Sequence, residues 1–176
     1  MAGHNKWAQI KRQKGANDSS KAVLWGKLGK RIALESKKGN GDVNAASLRA
    51  IIETAKKSNM PKDTIERAVA KGISSDAAAM DSVTYESYGP GGAAIVIEAL
   101  TDNRNRTAQE IKHLLSEAGL ALASQGSALW AFVKSAEGYS SKTTVPLSET
   151  DNEQLMKILE TIDAHDDVEG VYTNAE

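Results

Sequence analysis

The 176 residues contain no cysteine. That excludes disulfides, thiolate zinc sites and a cysteine nucleophile, and it suits a reducing cytosol. Long apolar runs are also missing, so nothing in the chain has the length of a membrane span. The opening Met1-Ala2-Gly3-His4-Asn5-Lys6-Trp7 lacks the apolar stretch and cleavage site of an export signal, and a cytoplasmic protein is expected. No nucleophile elbow is present. His4, His113 and His165 are too scattered to suggest metal-ligand spacing. Tyr88-Gly89-Pro90-Gly91-Gly92 is rich in glycine but lacks the lysine and the following helix of a phosphate-binding loop, so it reads as a turn needing positive φ. Asp163, Asp166 and Asp167 read as a solvated acidic turn. Neither catalysis nor a cofactor, metal or small-molecule substrate is expected.

What the chain does have is a division of charge. The formal net charge is −1, yet residues 1–72 hold 16 Lys and Arg against 6 Asp and Glu, a net of +10. Residues 73–176 hold 6 basic against 17 acidic residues, a net of −11. The split coincides with a change of pattern, from helical to strand-like periodicity, which marks two units: 1–75, basic and helical, and 76–176, acidic and mixed.

In the first unit, Leu24, Trp25, Leu28 and Ile32 share one arc of a helix over 20–38. Lys27, Lys30, Arg31, Lys37 and Lys38 fall on the opposite arc, with Leu34 intruding. Gly39-Asn40-Gly41 ends that helix. A second helix near 43–57 carries Leu48, Ile51, Ile52 and Ala55. Pro61 suits the first turn of a third, through Ile65, Ala68 and Val69 and closed by Gly72.

Residues 73–81 read as a linker, after which Val83 and Tyr85 alternate with polar residues as in a strand. Ala93–Leu100 has the composition of a buried strand. Asn105 or Thr107 caps a helix with Ala108, Ile111, Leu115 and Ala118. Strands at Ala128–Val133 and Thr143–Leu147 flank a polar connection; Ser148 or Thr150 then caps a helix with Leu155, Ile158, Leu159 and Ile162; Val168–Thr173 is the last strand. The fold class expected is α+β. A three-helix domain precedes a ferredoxin-like β-α-β-β-α-β domain that has one extra leading strand.

The cations are the strongest functional signal. Lys6, Lys11, Arg12, Lys14, Lys21, Lys27, Lys30 and Arg31 crowd one end of the chain with only Asp18 against them, a composition for gripping phosphates. Trp7 either stacks on an unpaired base or packs among helices. The helices around Ser58–Pro61 have the outline of a helix-turn-helix, but Asp63 and Glu66 at the start of the second would face phosphates badly. Cations spread over several segments, with no good recognition helix, favour RNA over sequence-specific DNA. Arg104 and Arg106, at a strand-to-helix turn, offer either a second nucleic-acid contact or a structural pairing with carboxylates.

The blocks Met1–Trp7, Asn59-Met60-Pro61-Lys62-Asp63, Tyr88–Gly92, Leu100–Thr107 and Val171-Tyr172-Thr173-Asn174 resemble, in order, the YebC/PmpR family. The resemblance spans nearly the whole chain. It implies either a translation factor that meets ribosomal RNA and the ribosome and eases synthesis of proline runs, or a DNA-binding transcriptional regulator. It also implies a third domain inserted in the ferredoxin-like one. Here Trp130–Lys134 and Lys142–Val145 are separated by a few residues, too few for that domain.

Overall fold

The computed structural model describes residues 18–75, 79–135 and 138–176, with side chains from Lys21 onward. Lys6, Trp7, Lys11, Arg12 and Lys14 lie outside the described residues. Those described form two compact units, 18–80 and 81–176.

The first unit is three helices, α1 (Asp18–Lys38), α2 (Ala46–Lys57) and α3 (Lys62–Ile73). Their apolar stripes meet in a core of Leu28, Ile32, Leu48, Ala55, Met60 and Ile65, with Trp25, Ile51, Ile52 and Val69 packed against it. Each fully buried Leu or Ile contributes about 1.5–3 kcal/mol relative to exposure. Two polar contacts fix how the helices meet. Trp25 Nε1 donates to the Ser58 carbonyl at 3.0 Å, and the Ser36 hydroxyl, wholly buried, donates to the Val69 carbonyl at 2.7 Å. Leu24, expected in the core, is 40% exposed. Pro61 is the N-cap of α3, one residue before the helix proper.

Gly72 does more than end α3. A Cβ built there would sit 2.3 Å from the Ala33 carbonyl oxygen and 2.7 Å from the Ser36 Cβ. The glycine is thus the point of closest approach between α1 and α3.

The second unit is ordered β1 (Asp81–Tyr88), β2 (Ala94–Thr101), α4 (Arg104–Glu117), β3 (Phe132–Ser135), β4 (Gly138–Ser141), α5 (Glu149–Asp163) and β5 (Val168–Thr173). Behind the leading strand this is the expected β-α-β-β-α-β sequence of elements, and Val168–Thr173 is matched to the residue. β2 is central in an antiparallel three-stranded sheet, β1-β2-β5. Its residues Ile95, Ile97 and Ala99 join the main core with Ile111, Leu115, Leu155, Leu159 and Ile162 of the helices. Ala94 and Val96, on the other face, pack with Ala128, Ala131 and Phe132. The turn before β2 is a short 3-10 segment, Pro90–Gly92, with Gly91 at φ 65°, as its composition predicts.

Four details differ from the sequence reading. The second strand of the hairpin is Gly138–Ser141, inside the stretch expected to be a polar connection. Residues 143–147 contribute only a single parallel bridge, Val145 to Ala175. β3 and β4 form a separate two-stranded sheet; both sides of β2 are occupied by β1 and β5. The hairpin packs by side chains instead: Tyr139 meets Tyr172 edge-on at 5.4 Å and Phe132 at 6.3 Å. Finally, the N-cap of α4 is Asn103, whose side chain accepts from the Arg106 amide.

The connection from α4 to β3 is held by one acid. Glu86 points inward from β1 and is 1% exposed. Its carboxylate accepts from the amides of Gly126 at 2.5 Å, Ala128 at 2.7 Å and Leu129 at 2.8 Å. The Ala123 amide donates to the Glu86 carbonyl at 2.8 Å, and the Ser87 hydroxyl to the Ala121 carbonyl at 2.9 Å.

Two substitutions test this packing by urea unfolding. Gly72→Ala should destabilise the helical unit by about 1–3 kcal/mol, the range for overpacking a tight contact. Glu86→Gln, which turns an acceptor into an amide donor facing backbone N–H groups, should cost the second unit about 1–3 kcal/mol or more. Wild-type midpoints in both would refute the two contacts.

Candidate nucleic-acid interface

On α1 the exposed cations are Lys21, Arg31, Lys37 and Lys38, with Lys30 half-buried. Lys27, placed on the open arc by periodicity, is instead 8% exposed. α1 packs against both α2 and α3, so its buried arc is wider than the apolar residues alone mark. Lys37 and Lys38 occupy the last turn, where the carbonyl end of the helix favours positive charge. Lys38 Nζ lies 2.7 Å from Glu35 Oε1. The hydrogen bond from Lys38 holds the Glu35 carboxyl below the usual carboxylate range, against the opposing effect of burial.

The structure adds cations that the sequence reading left out of the site. Lys56 and Lys57 fill the last turn of α2, and both are exposed, as are Arg49 on the same helix and Lys62, Arg67 and Lys71 on α3. The helical wheel carried the signal: all six fall outside the arc of Leu48, Ile52, Ala55, Ile65 and Val69. Some are partly engaged. Lys62 lies 3.6 Å from Glu66, and Arg67 folds back on its own helix, donating to the Asp63 carbonyl at 3.2 Å. Asp63 and Glu66 are both exposed at the start of α3, which gives that end of the helix the wrong sign for reading DNA.

The two arginines of the second unit differ in their partners. Arg106 is paired with carboxylates. Its Nη2 meets Asp167 Oδ2 at 2.8 Å and Asp102 Oδ1 at 3.1 Å, and its Nε lies 3.7 Å from Glu110. The hydrogen bond to Asp167, ahead of other causes, raises the guanidinium pKa further. Asp167 is not the solvated residue of an acidic turn; it is 4% exposed and also accepts from the Thr107 hydroxyl at 2.7 Å. Thr107 in turn bonds Thr101 at 2.7 Å. The end of β2, the start of α4 and the start of β5 are thereby tied at one point. Arg104 stands apart: it is exposed, lacks a carboxylate partner among the described residues, and lines a cleft beside β1.

Glu110, His165 and Asp167 bring three potential metal-binding atoms within 4.8 Å of one another. The donor set does not fit a cation. Arg106 already contacts both carboxylates, and His165 Nδ1 accepts from the Asp167 amide at 3.1 Å. That leaves Nε2 to carry the proton and donate to Glu110 at 3.0 Å.

Residues 5–75 match the family described as the TACO1/YebC protein N-terminal domain, and residues 80–138 match the TACO1/YebC second and third domain. A probable transcriptional regulatory protein of Chlorobium phaeobacteroides is 41% identical over 174 residues, covering 95% of this chain and 68% of its own length. One of the same description from Chlorobaculum parvum is 44% identical, with 90% and 62% covered. A third, from Petrotoga mobilis, is 46% identical, with 75% and 53% covered. The chain thus spans between about half and two thirds of the length of these relatives. Among solved structures, a conserved hypothetical protein of Aquifex aeolicus superposes with a TM-score of 0.83 at 27% identity, over 97% of this chain and 96% of that one. With both of its units matched in order, the chain belongs to the TACO1/YebC family.

Proposed function

We propose that this protein is an RNA-binding translation factor whose helical unit docks on ribosomal RNA, and that it acts in the cytoplasm by binding, without catalysis. The observation that carries this reading is the distribution of exposed cations over all three helices, on a unit whose sequence is strongly basic. Lys21, Lys30, Arg31, Lys37, Lys38, Lys56, Lys57 and Lys71 offer charges to phosphates along a folded backbone, and each phosphate neutralised releases counterions. A scattered set of this kind suits the shape of structured RNA better than a base-reading helix. Among the described residues no helix is long and apolar enough to cross a membrane. The family resemblance supports the further step, that the target is a ribosome synthesising difficult stretches such as proline runs.

A second reading, DNA-binding transcriptional regulation, is favoured by the description that the relatives from Chlorobium, Chlorobaculum and Petrotoga carry. Sedimentation of cell extract separates the two. The translation reading expects association with ribosomes at low salt and release as salt is raised. Association with promoter DNA, with ribosome profiles unchanged on deletion, would reverse the order of the two readings.

Charge reversal tests the surface itself. Arg31→Glu combined with Lys37→Glu should weaken binding of the full chain to structured RNA, and should lower the slope of log K against log salt by about one for each phosphate no longer neutralised. Folding should change by about 0.5 kcal/mol or less, since both sites are exposed. Lys27 is unsuited to this experiment, because reversing a buried charge disturbs the fold. Arg106→Ala should show the opposite behaviour. It removes a partner from buried Asp167, so stability should fall by about 1–3 kcal/mol while RNA affinity is retained. Loss of RNA binding in a folded Arg106→Ala protein would show that the second unit belongs to the interface.

A further inference from the structure

The cleft that Arg104 lines runs along the side of β1. Its walls include Ser82, Val83, Thr84, Tyr85 and Glu86 in succession. Five consecutive strand residues border a cleft only when it follows the edge of a sheet, because either face would present alternate residues. The volume, about 300 Å³, is at the small end of the range for ligand sites.

Hydrogen-bond parity shows what that edge offers. The Ala123 amide bonds the Glu86 carbonyl, so the backbone of Glu86 faces away from β2. Strand periodicity directs Ser82 and Thr84 the same way, while Val83, Tyr85 and Ser87 face Ala99, Ile97 and Ile95. The β2 side agrees, because Ala94 and Leu100, two residues of even number, bond in the opposite direction, to Asn174 and Asp167. The segment at Leu122–Ala123 therefore covers the edge only at Ser87 and Glu86 before the chain turns off toward the Glu86 carboxylate. Among the described residues, none pairs with the outward N–H or C=O of Ser82 or Thr84. Of the usual protections of an edge, β1 lacks proline, lysine and a bulge in its register with β2, and its inward charge, Glu86, lies in the half that the Leu122–Ala123 segment covers.

Two side chains at this edge lack partners among the described residues. Arg104 is one. The other is the Tyr85 hydroxyl, which is buried with no hydrogen bond in a residue only 8% exposed. Burial pushes its pKa up and the nearby Arg104 guanidinium pulls it back, which places the two in electrostatic reach of one another.

We propose that the uncovered half of β1 is a docking edge for an extended peptide with a carboxylate at its C-terminal end. Leu122 already pairs antiparallel with Ser87. A strand continuing in that direction passes Thr84 and then Ser82, so its C-terminal end arrives where Asp81 pairs with Thr101, three residues before Arg104. Backbone hydrogen bonds at two positions supply the affinity, and the guanidinium selects the carboxylate. This inference is independent of the nucleic-acid reading. It concerns the acidic unit, and its partner is a protein.

The test uses the full chain labelled with nitrogen-15 and a hexapeptide of alternating threonine and valine with a free C-terminal carboxylate. Saturable shifts and slowed hydrogen exchange are expected at the Ser82 and Thr84 amides. The C-terminal amide of the same peptide should bind on the order of tenfold more weakly, and so should the acid against Arg104→Ala. Thr84→Pro, which deletes only an outward N–H, should lose the interaction. Should that variant fail to fold, the comparison of acid with amide and the Arg104→Ala titration still decide. Unshifted Ser82 and Thr84 amides, or equal affinity for acid and amide, would overturn the proposal. So would a concentration-dependent dimer abolished by Thr84→Pro, which would assign this edge to a second copy of the chain.

Discussion

Strand β2 is withdrawn from water on both faces, and the architecture of the second unit follows from that constraint. A strand buried on two sides needs two layers of apolar partners and two flanking strands to satisfy its backbone. Helices α4 and α5 cover one face, the β3–β4 hairpin and the turn before it cover the other, and β1 and β5 complete the hydrogen bonding. The hairpin consequently serves as a lid of side chains over Ala94 and Val96. A fourth strand beside β2 has no vacant position. Where the longer form of the family is expected to carry another domain, Ser135 here pairs with Gly138.

In the helical unit the comparable constraint is the close approach of α1 and α3. Gly72 permits it and the Ser36 hydroxyl bonds across it. Because the core is small, with six buried apolar residues among those described, much of the remaining helix surface is left to carry charge. That economy gives the cationic surface its breadth. The two units also differ in chemistry, one with an excess of cations in its sequence and the other balancing its few cations against carboxylates, as Arg106 does.

Much of the fold was legible because its signals are periodic. Leu28, Ile32, Leu48, Ala55, Ile65, Ile111, Leu115, Leu155 and Leu159 all stand in the core where helical spacing puts them, and β2 and β5 are marked by aliphatic runs. What escaped depends on partners far along the chain. Glu86 alternates like a solvent-facing strand residue, and nothing local announces that amides some 40 residues later will enclose it. Asp167 reads as part of an acidic turn until Arg106 and Thr107 reach it. Lys27 and Lys30 are indistinguishable by spacing, yet only Lys27 is buried. β4 has no aliphatic residue, and the edge-on packing of Tyr139 against Tyr172 replaces the missing pattern. Of the candidate interface, the class of residue and the first helix were read from the sequence, whereas the cations of α2 and α3 and the engagement of each cation were not.

The hold of Glu86 on its connecting segment also has a kinetic side. β1 and β2 adjoin in the chain and close through a short turn, a pairing of low contact order that forms early. The segment from Leu120 to Ala131 has little regular structure of its own, and its amides find their acceptor only on a strand already laid down. It therefore orders late. Perturbations there should act mainly on the rate of unfolding and leave the rate of folding nearly unchanged. An acid placed in β1 thus governs how long the folded unit lasts more than how quickly it is reached.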